Sequence, residues 1–396
     1  MKILWITSVY PSEQQPGSGV FHETQVQALR RLGVDVTVIC PVPRPVSFLR
    51  FLKKQYRIHN DIPLCYERKG VKVYRPSYVA LPGQLRWAQP DKRIADTILK
   101  TMTEYKMEPD LLHAHFAMPS GGAARIVSGQ KKIPWVLTLH GSDVNVYPTY
   151  SKRARKAFFQ SVISAHRVLA VSNSLRRKTL EMTGRESGVL PIGVDLTQFQ
   201  QPNQAKMVMR KMLQLPHDKK IITFVGRLVE SKGVFELAEA IEKVSKEFVV
   251  VFIGDGPAKE RLMNHPEYNR RLFLKGEIEN KKVKDYLFAS DYFALPSYTE
   301  GLPTVVIEAI AMKVPVICTA VGGVPDLFGK HRDQLIQPKS VSALVGKIQE
   351  MESGKIESTS IQDDLYEHIQ KHYHAKENAV VLADEYKRTI QSVLTS

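Results

Sequence analysis

Short runs of β-branched and aromatic residues recur along the chain, separated by stretches in which apolar residues return every three or four positions. The runs fall at 3–9, 34–40, 111–115, 135–140, 168–171, 221–225, 248–253, 292–295 and 314–318. A run such as Phe248-Val249-Val250-Val251-Phe252-Ile253 is apolar on both faces, which predicts a strand buried in a parallel sheet. The amphipathic stretches between the runs predict the helices that cover such a sheet. The alternation lapses once, over Leu190-Pro191-Ile192-Gly193-Val194-Asp195 and the polar residues 198–204, and restarts at Ile221. We therefore expect an α/β protein of two doubly wound, Rossmann-like domains facing each other across a cleft. The expected domains are 1–197 and 205–375, with a last helix over 376–396. Sheets of this kind bind ligands beyond the carboxyl ends of their strands.

Length and composition agree with this picture. A chain of 396 residues exceeds one ordinary core, and 43% hydrophobic with 24% charged residues is the balance of a globular protein. No apolar run reaches the 18 or so residues of a membrane span, and residues 3–9 are too few for a signal-peptide core, so a cytoplasmic location is expected. Cys40, Cys65 and Cys318 match no zinc or redox spacing and are expected to be core thiols. The net charge of +16 is unevenly placed: residues 1–200 carry 29 Lys plus Arg against 14 Asp plus Glu, and residues 201–396 carry 27 against 26. An anionic partner of the N-terminal half is implied, either a membrane surface, a phosphorylated substrate or nucleic acid.

The candidate chemistry lies at strand-to-helix turns. Glu300 and Glu308 stand eight residues apart in Ser297-Tyr298-Thr299-Glu300-Gly301-Leu302-Pro303-Thr304-Val305-Val306-Ile307-Glu308. Pro303 suits a first helical turn, and the amides of Gly301, Leu302 and Thr304 are placed to meet a diphosphate at the helix N-terminus. About 75 residues upstream, Arg227 and Lys232 in Gly226-Arg227-Leu228-Val229-Glu230-Ser231-Lys232-Gly233 are candidates to neutralise that diphosphate. Gly254 and Gly256, in Gly254-Asp255-Gly256-Pro257, would let backbone approach a ligand closely. Gly19, in Gly17-Ser18-Gly19, could do the same in the first domain, although His22 takes the place of the third glycine of a dinucleotide fingerprint. His113, His115 and His140 end buried runs without carboxylates nearby, and no D-x-D triplet occurs, so no metal and no cofactor are expected.

Together, the arginine-lysine turn, the Gly-Asp-Gly-Pro turn, the E-x7-E segment and Val314-Pro315-Val316-Ile317-Cys318-Thr319-Ala320-Val321-Gly322-Gly323 resemble the retaining glycosyltransferases of family 4, which have the GT-B fold. Met1-Lys2-Ile3-Leu4-Trp5-Ile6-Thr7-Ser8, His113-Ala114-His115-Phe116-Ala117-Met118-Pro119-Ser120 and Thr138-Leu139-His140-Gly141-Ser142-Asp143 are similar to those of enzymes that build teichuronic acid-type cell-wall polysaccharide in Gram-positive bacteria. The resemblance implies a nucleotide-sugar donor, with UDP as the expected nucleotide, and a lipid-linked diphosphate glycan acceptor. It also implies a donor-contacting histidine at His140, Glu300 near the sugar, Glu308 facing the ribose, and His115 and Asp143 as weaker candidates.

The segment 43–57 reads as a basic amphipathic helix. Phe48, Leu49, Phe51, Leu52 and Tyr56 share one face, and Arg50, Lys53, Lys54 and Arg57 the other. Such a helix can lie in an anionic membrane interface, making the protein peripheral on the inner face of the plasma membrane. A sugar-nucleotide epimerase remains an alternative, since it can share the architecture. So does a basic nucleic-acid-binding protein, although no reader motif is present and nucleic acid is not the expected partner.

Overall fold

The computed structural model describes residues 1–45, 62–80, 90–202, 204–353 and 359–395. The chain divides into two compact units, Met1–Gly193 with Ala375–Ser396, and Val194–His374. Helices of eight residues or more are numbered below.

In the first unit an eight-stranded sheet has the order β10-β9-β8-β7-β1-β2-β5-β4. Its strands are β1 (Lys2–Ile6), β2 (Asp35–Ile39), β4 (Cys65–Arg68), β5 (Val71–Tyr74), β7 (Leu111–His115), β8 (Trp135–Leu139), β9 (Arg167–Ala170) and β10 (Gly188–Val189). All pair in parallel except β4 with β5, and Ile3 lies between Val36 and Leu111 in the central register. A separate pair joins β3 (Val42–Pro45) to β6 (Ser77–Ala80). The covering helices are α1 (Val20–Arg31), α2 (Asp91–Glu104), α3 (Gly122–Lys131), α4 (Lys152–Ser164) and α5 (Asn173–Thr183). Ser151 and Ser172 cap the last two, their hydroxyls accepting from the amides of Ala154 and Leu175.

In the second unit β11 (Lys220–Val225), β12 (Phe248–Ile253), β13 (Leu272–Leu274), β14 (Tyr292–Leu295) and β15 (Val316–Cys318) form a parallel sheet of order β13-β12-β11-β14-β15. All six residues of β12 are buried. Helices α6 (Val234–Glu242), α7 (Asn280–Ala289), α8 (Thr304–Ala311), α9 (Val341–Glu352) and α10 (Thr359–His372) belong to this unit.

The last helix, α11 (Ala375–Leu394), belongs to the first unit. Its Ala379, Leu382, Ala383 and Tyr386 recur at helical spacing and join the core containing Val26 and Leu29 of α1 and Trp5 of β1. The Tyr386 hydroxyl meets His113 Nδ1 at 2.6 Å, and His113 Nε2 meets Thr138 Oγ1 at 2.7 Å. His113 is thus a core residue inside β7, not a strand-end ligand.

Two further sequence expectations are corrected here. Residues 42–45 form β3, so the helix read from Pro43 does not begin there; Arg50, Lys53, Lys54 and Arg57 lie outside the described residues. Val42-Pro43-Arg44-Pro45 gains its partner from β6, more than 30 residues away, which local periodicity does not register. Of the three thiols Cys40 and Cys318 are buried, whereas Cys65 is exposed because it opens the antiparallel edge strand β4.

Candidate active site

The order of the second sheet reverses direction at β11, flanked by β12 on one side and β14 on the other. In such sheets the loops leaving the two strands at the reversal diverge and leave a crevice at their carboxyl ends. Those two loops carry the predicted charges. After β11 the chain passes Arg227 and turns at Glu230–Lys232 before α6. After β14 it passes Glu300 before α8.

Lys232 and Glu300 meet there, with Nζ donating to Oε1 at 2.6 Å. The Ser297 hydroxyl donates to the same oxygen at 2.7 Å. Glu300 is only 8% exposed, and Oε2 makes no hydrogen bond among the described residues. One carboxylate oxygen is thereby fixed and the other left to accept. Lys232 retains two of its three N–H donors. Arg227 is exposed, and its side chain has no partner among the described residues.

Helix α8 starts at Thr304 with Pro303 as its N-cap, so the proline precedes the first turn in which the sequence placed it. The first-turn amides have no carbonyl within the helix to bond; of the three predicted amides only that of Thr304 lies in this turn, where an anion is favoured, whereas Gly301 and Leu302 precede the N-cap. Glu308 lies deeper on α8, 9% exposed, and burial pushes its carboxyl up to about 7.

The glycine turns lock these loops together. A Cβ on Gly254 would lie 2.0 Å from Gly226 O, and one on Gly256 2.4 Å from Leu228 O. Contact with the arginine-lysine turn, rather than an open space for ligand, is what demands glycine at 254 and 256. Gly322, at φ +56°, presses on the other loop, where its Cβ would lie 1.9 Å from Glu300 O. The sequence singled out the residues of this turn but not its bearing on Glu300.

In the first unit the reversal falls between β1 and β7. Gly19 is the left-handed N-cap of α1. His115 Nδ1 meets His140 Nε2 at 2.9 Å, and His22 Nε2 meets Thr7 Oγ1 at 2.9 Å. Trp5 stacks on the His115 ring. Burial lowers the pKa of all three imidazoles, that of His140 to about 3, so the rings are neutral at pH 7. His22 Nδ1, His115 Nε2 and His140 Nδ1 are buried without a partner. Asp143 accepts from the amides of Ala117, His140 and Gly141, which fixes the loop carrying His140.

His22 was noted in the sequence only for breaking a glycine pattern; its position one turn into α1 gave no sign of His115 and His140. The ligand atoms of these three histidines lie within 4.8 Å of one another, the only such group among the described residues. Neutral imidazoles suit a borderline-soft cation, but no carboxylate joins them, and the His115–His140 bond ties up one nitrogen of each ring.

Two doubly wound α/β units, each with its crevice at a reversal of strand order, define the class of fold, and comparison with known proteins gives the family. Residues 17–198 match the model described as Glycosyltransferase Family 4, and residues 206–371 the model described as Glycosyl transferases group 1. The chain belongs to this glycosyltransferase family and has its GT-B fold. It is 54% identical, over 98% of both chains, to TuaC of Bacillus subtilis (strain 168), named as a teichuronic acid biosynthesis glycosyltransferase. It is 24% identical to the alpha-monoglucosyldiacylglycerol synthase of Acholeplasma laidlawii, over 74% of this chain and 73% of that one. Among solved structures, sucrose-phosphate synthase from Thermosynechococcus elongatus superposes with a TM-score of 0.77 at 18% identity, over 99% of this chain and 100% of that one. HepE of Anabaena in complex with UDP-glucose superposes at 0.73 and 18%, over 98% and 100%.

Proposed function

We propose that this glycosyltransferase moves a sugar from a UDP-sugar to a lipid-linked diphosphate glycan acceptor during assembly of a teichuronic acid-like cell-wall polysaccharide. The observation that carries the reading is the Lys232–Glu300 pair, set by two loops at the reversal point of the second sheet. The naming of TuaC supports the pathway, and the UDP and UDP-glucose complexes of HepE support the nucleotide.

In this reading Arg227, Lys232 and the first-turn amides of α8 hold the diphosphate, and Glu308 accepts from the ribose hydroxyls. Glu300 Oε2 accepts from a sugar hydroxyl, and His140 contributes a neutral imidazole to the donor sugar. The bond from the anomeric carbon to the diphosphate oxygen breaks as the acceptor oxygen bonds to that carbon on the same face, so configuration is retained. The acceptor hydroxyl's proton passes to the departing phosphate. Stabilising the charge that develops on the leaving group is the main catalytic load, and no divalent metal shares it.

Acceptor handling belongs to the N-terminal unit, working at the cytoplasmic face of the plasma membrane. No helix among the described residues is long and apolar enough to cross a membrane, and the basic residues of segment 50–57 are proposed to dock it on anionic lipid. The test is to incubate the protein with a panel of UDP-sugars and membrane lipid, identify the product by mass spectrometry and read its anomeric configuration by NMR. A lipid-linked glycan with retained configuration is expected; free epimerised sugar nucleotide, formed without acceptor, would replace this reading.

A further inference from the structure

We propose that the N-terminal unit holds an anionic group, phosphate or carboxylate, in a cavity built around Arg75. The cavity, of about 330 Å³, opens at the carboxyl ends of the first sheet. Tyr10 reaches it from the loop after β1, Cys40 from the end of β2, Arg75 from the end of β5, and Ser120 from the turn after β7. It lies at the β1–β7 reversal, where an open α/β sheet presents its ligand crevice, and its size is that of a small-ligand pocket.

The charge inside this cavity is uncompensated. Arg75 is 6% exposed, yet its Nε and Nη1 make no hydrogen bond, and no carboxylate pairs with it among the described residues. The Tyr10 hydroxyl is likewise buried without a partner. Among the described residues, the acidic groups whose charges act on Tyr10 and Cys40 are already satisfied or neutral. Glu23, the carboxylate nearest Tyr10, is held by Arg68 at 2.5 Å and Lys69 at 2.8 Å. Burial pushes the Cys40 thiol up to about 11, despite the guanidinium beside it, and raises the Tyr10 and Tyr66 phenols further above their usual range. A buried guanidinium left with open donors is costly, and an anion entering the cavity would supply both the charge and the acceptors it lacks. The strongly basic balance of residues 1–200 acts in the same direction.

The inference rests on the reading that the N-terminal unit takes the acceptor, and it adds which part of the acceptor is gripped there. Two sources fit the chemistry, the diphosphate of a lipid carrier and the carboxylate of an acidic sugar.

Calorimetric titration with inorganic pyrophosphate, D-glucuronate and D-glucose separates them. It is run on the wild-type chain, on Arg75→Gln and on the double variant Arg227→Ala/Lys232→Ala, with UDP as a control on each. At least one anion is expected to bind the wild type, with glucose at least tenfold weaker. That site should be lost at least tenfold in Arg75→Gln and survive in the double variant. Preference for pyrophosphate assigns the carrier diphosphate, and preference for glucuronate assigns an acidic sugar. If neither anion binds the wild type better than glucose, or if Arg75→Gln binds as the wild type does, the proposal is overturned. Should Arg75→Gln fail to bind UDP while the wild type binds it, Arg75→Lys and Tyr10→Phe decide. A threefold or greater loss of anion affinity in both supports the site, and wild-type affinity in both overturns it. Failure of UDP to bind the wild type would count against the donor reading alone, because the anion titrations do not depend on it.

Discussion

At the scale of single residues, the donor site turns on how one lysine is shared. Lys232 is held by Glu300 before any ligand arrives, so a diphosphate finds its ammonium already placed and needs only its remaining donors. Charge-assisted bonds of this kind are worth about 1.5–3 kcal/mol each. Lys232→Ala should weaken UDP binding or turnover by roughly tenfold to a hundredfold and lower the melting temperature, since Glu300 is left buried without its cation. Arg227→Ala should weaken UDP binding while leaving the melting temperature near wild type, because its side chain is exposed. Wild-type affinity and turnover in both variants would remove these residues from the donor site. Glu308 gives a pH signature. Its folded-state pKa of about 7 lies above the usual glutamate value, so its proton is bound more tightly in the folded chain. The stability it contributes is present at low pH and is lost as pH rises from about 4.5 to about 7. Ribose binding runs the other way, because the carboxylate is the better acceptor. UDP affinity should therefore rise by up to about tenfold between pH 6 and pH 8, and Glu308→Gln should flatten both trends in calorimetry and thermal melts.

At the scale of elements, function concentrates where strands end. The buried runs over 111–115, 248–253 and 292–295 were legible residue for residue, because a parallel strand covered on both faces is apolar at most or all of its positions, with His113 and His115 the exceptions here. The two- and three-residue strands β10 and β13 were missed, as were β3, β4, β5 and β6. Those last four are four residues long, carry prolines or alternate with solvent, and become strands only by pairing with partners the chain brings back. One element-scale proposal concerns segment 50–57. Arg50, Lys53, Lys54 and Arg57 would each contribute about 1 kcal/mol near an anionic surface, enough for reversible docking. Changing all four to Glu should release the protein from anionic liposomes in a cosedimentation assay and reduce transfer to lipid acceptor, with UDP affinity unchanged. High salt should weaken the wild-type association. Unaltered cosedimentation of the fourfold variant would exclude this surface.

At the scale of the whole molecule, the two units carry different chemistry. The N-terminal unit holds neutral histidines and an arginine that no carboxylate pairs among the described residues, and the C-terminal unit pairs Lys232 with a carboxylate. Transfer should survive exhaustive chelation, because the proposed phosphate site is built from cations and amides. If EDTA abolished activity and Mg²⁺ or Mn²⁺ restored it, that phosphate site would be wrong; restoration by Zn²⁺ alone would point to His22, His115 and His140. The sequence by itself determined the class of fold, the family, the turns that carry Arg227, Lys232 and Glu300, and the helix that carries Glu308, because burial on both faces of a strand and glycine at a crowded turn leave marks within a few residues. Only the tertiary structure decided which of these groups meet. The pairing of Lys232 with Glu300 spans 68 residues, His22 reaches His115 and His140 from another element, and Arg75 meets Tyr10, Cys40 and Ser120 around one cavity lined from four strand ends. Such contacts depend on sheet order, and sheet order is fixed by pairing between distant segments that no local pattern records.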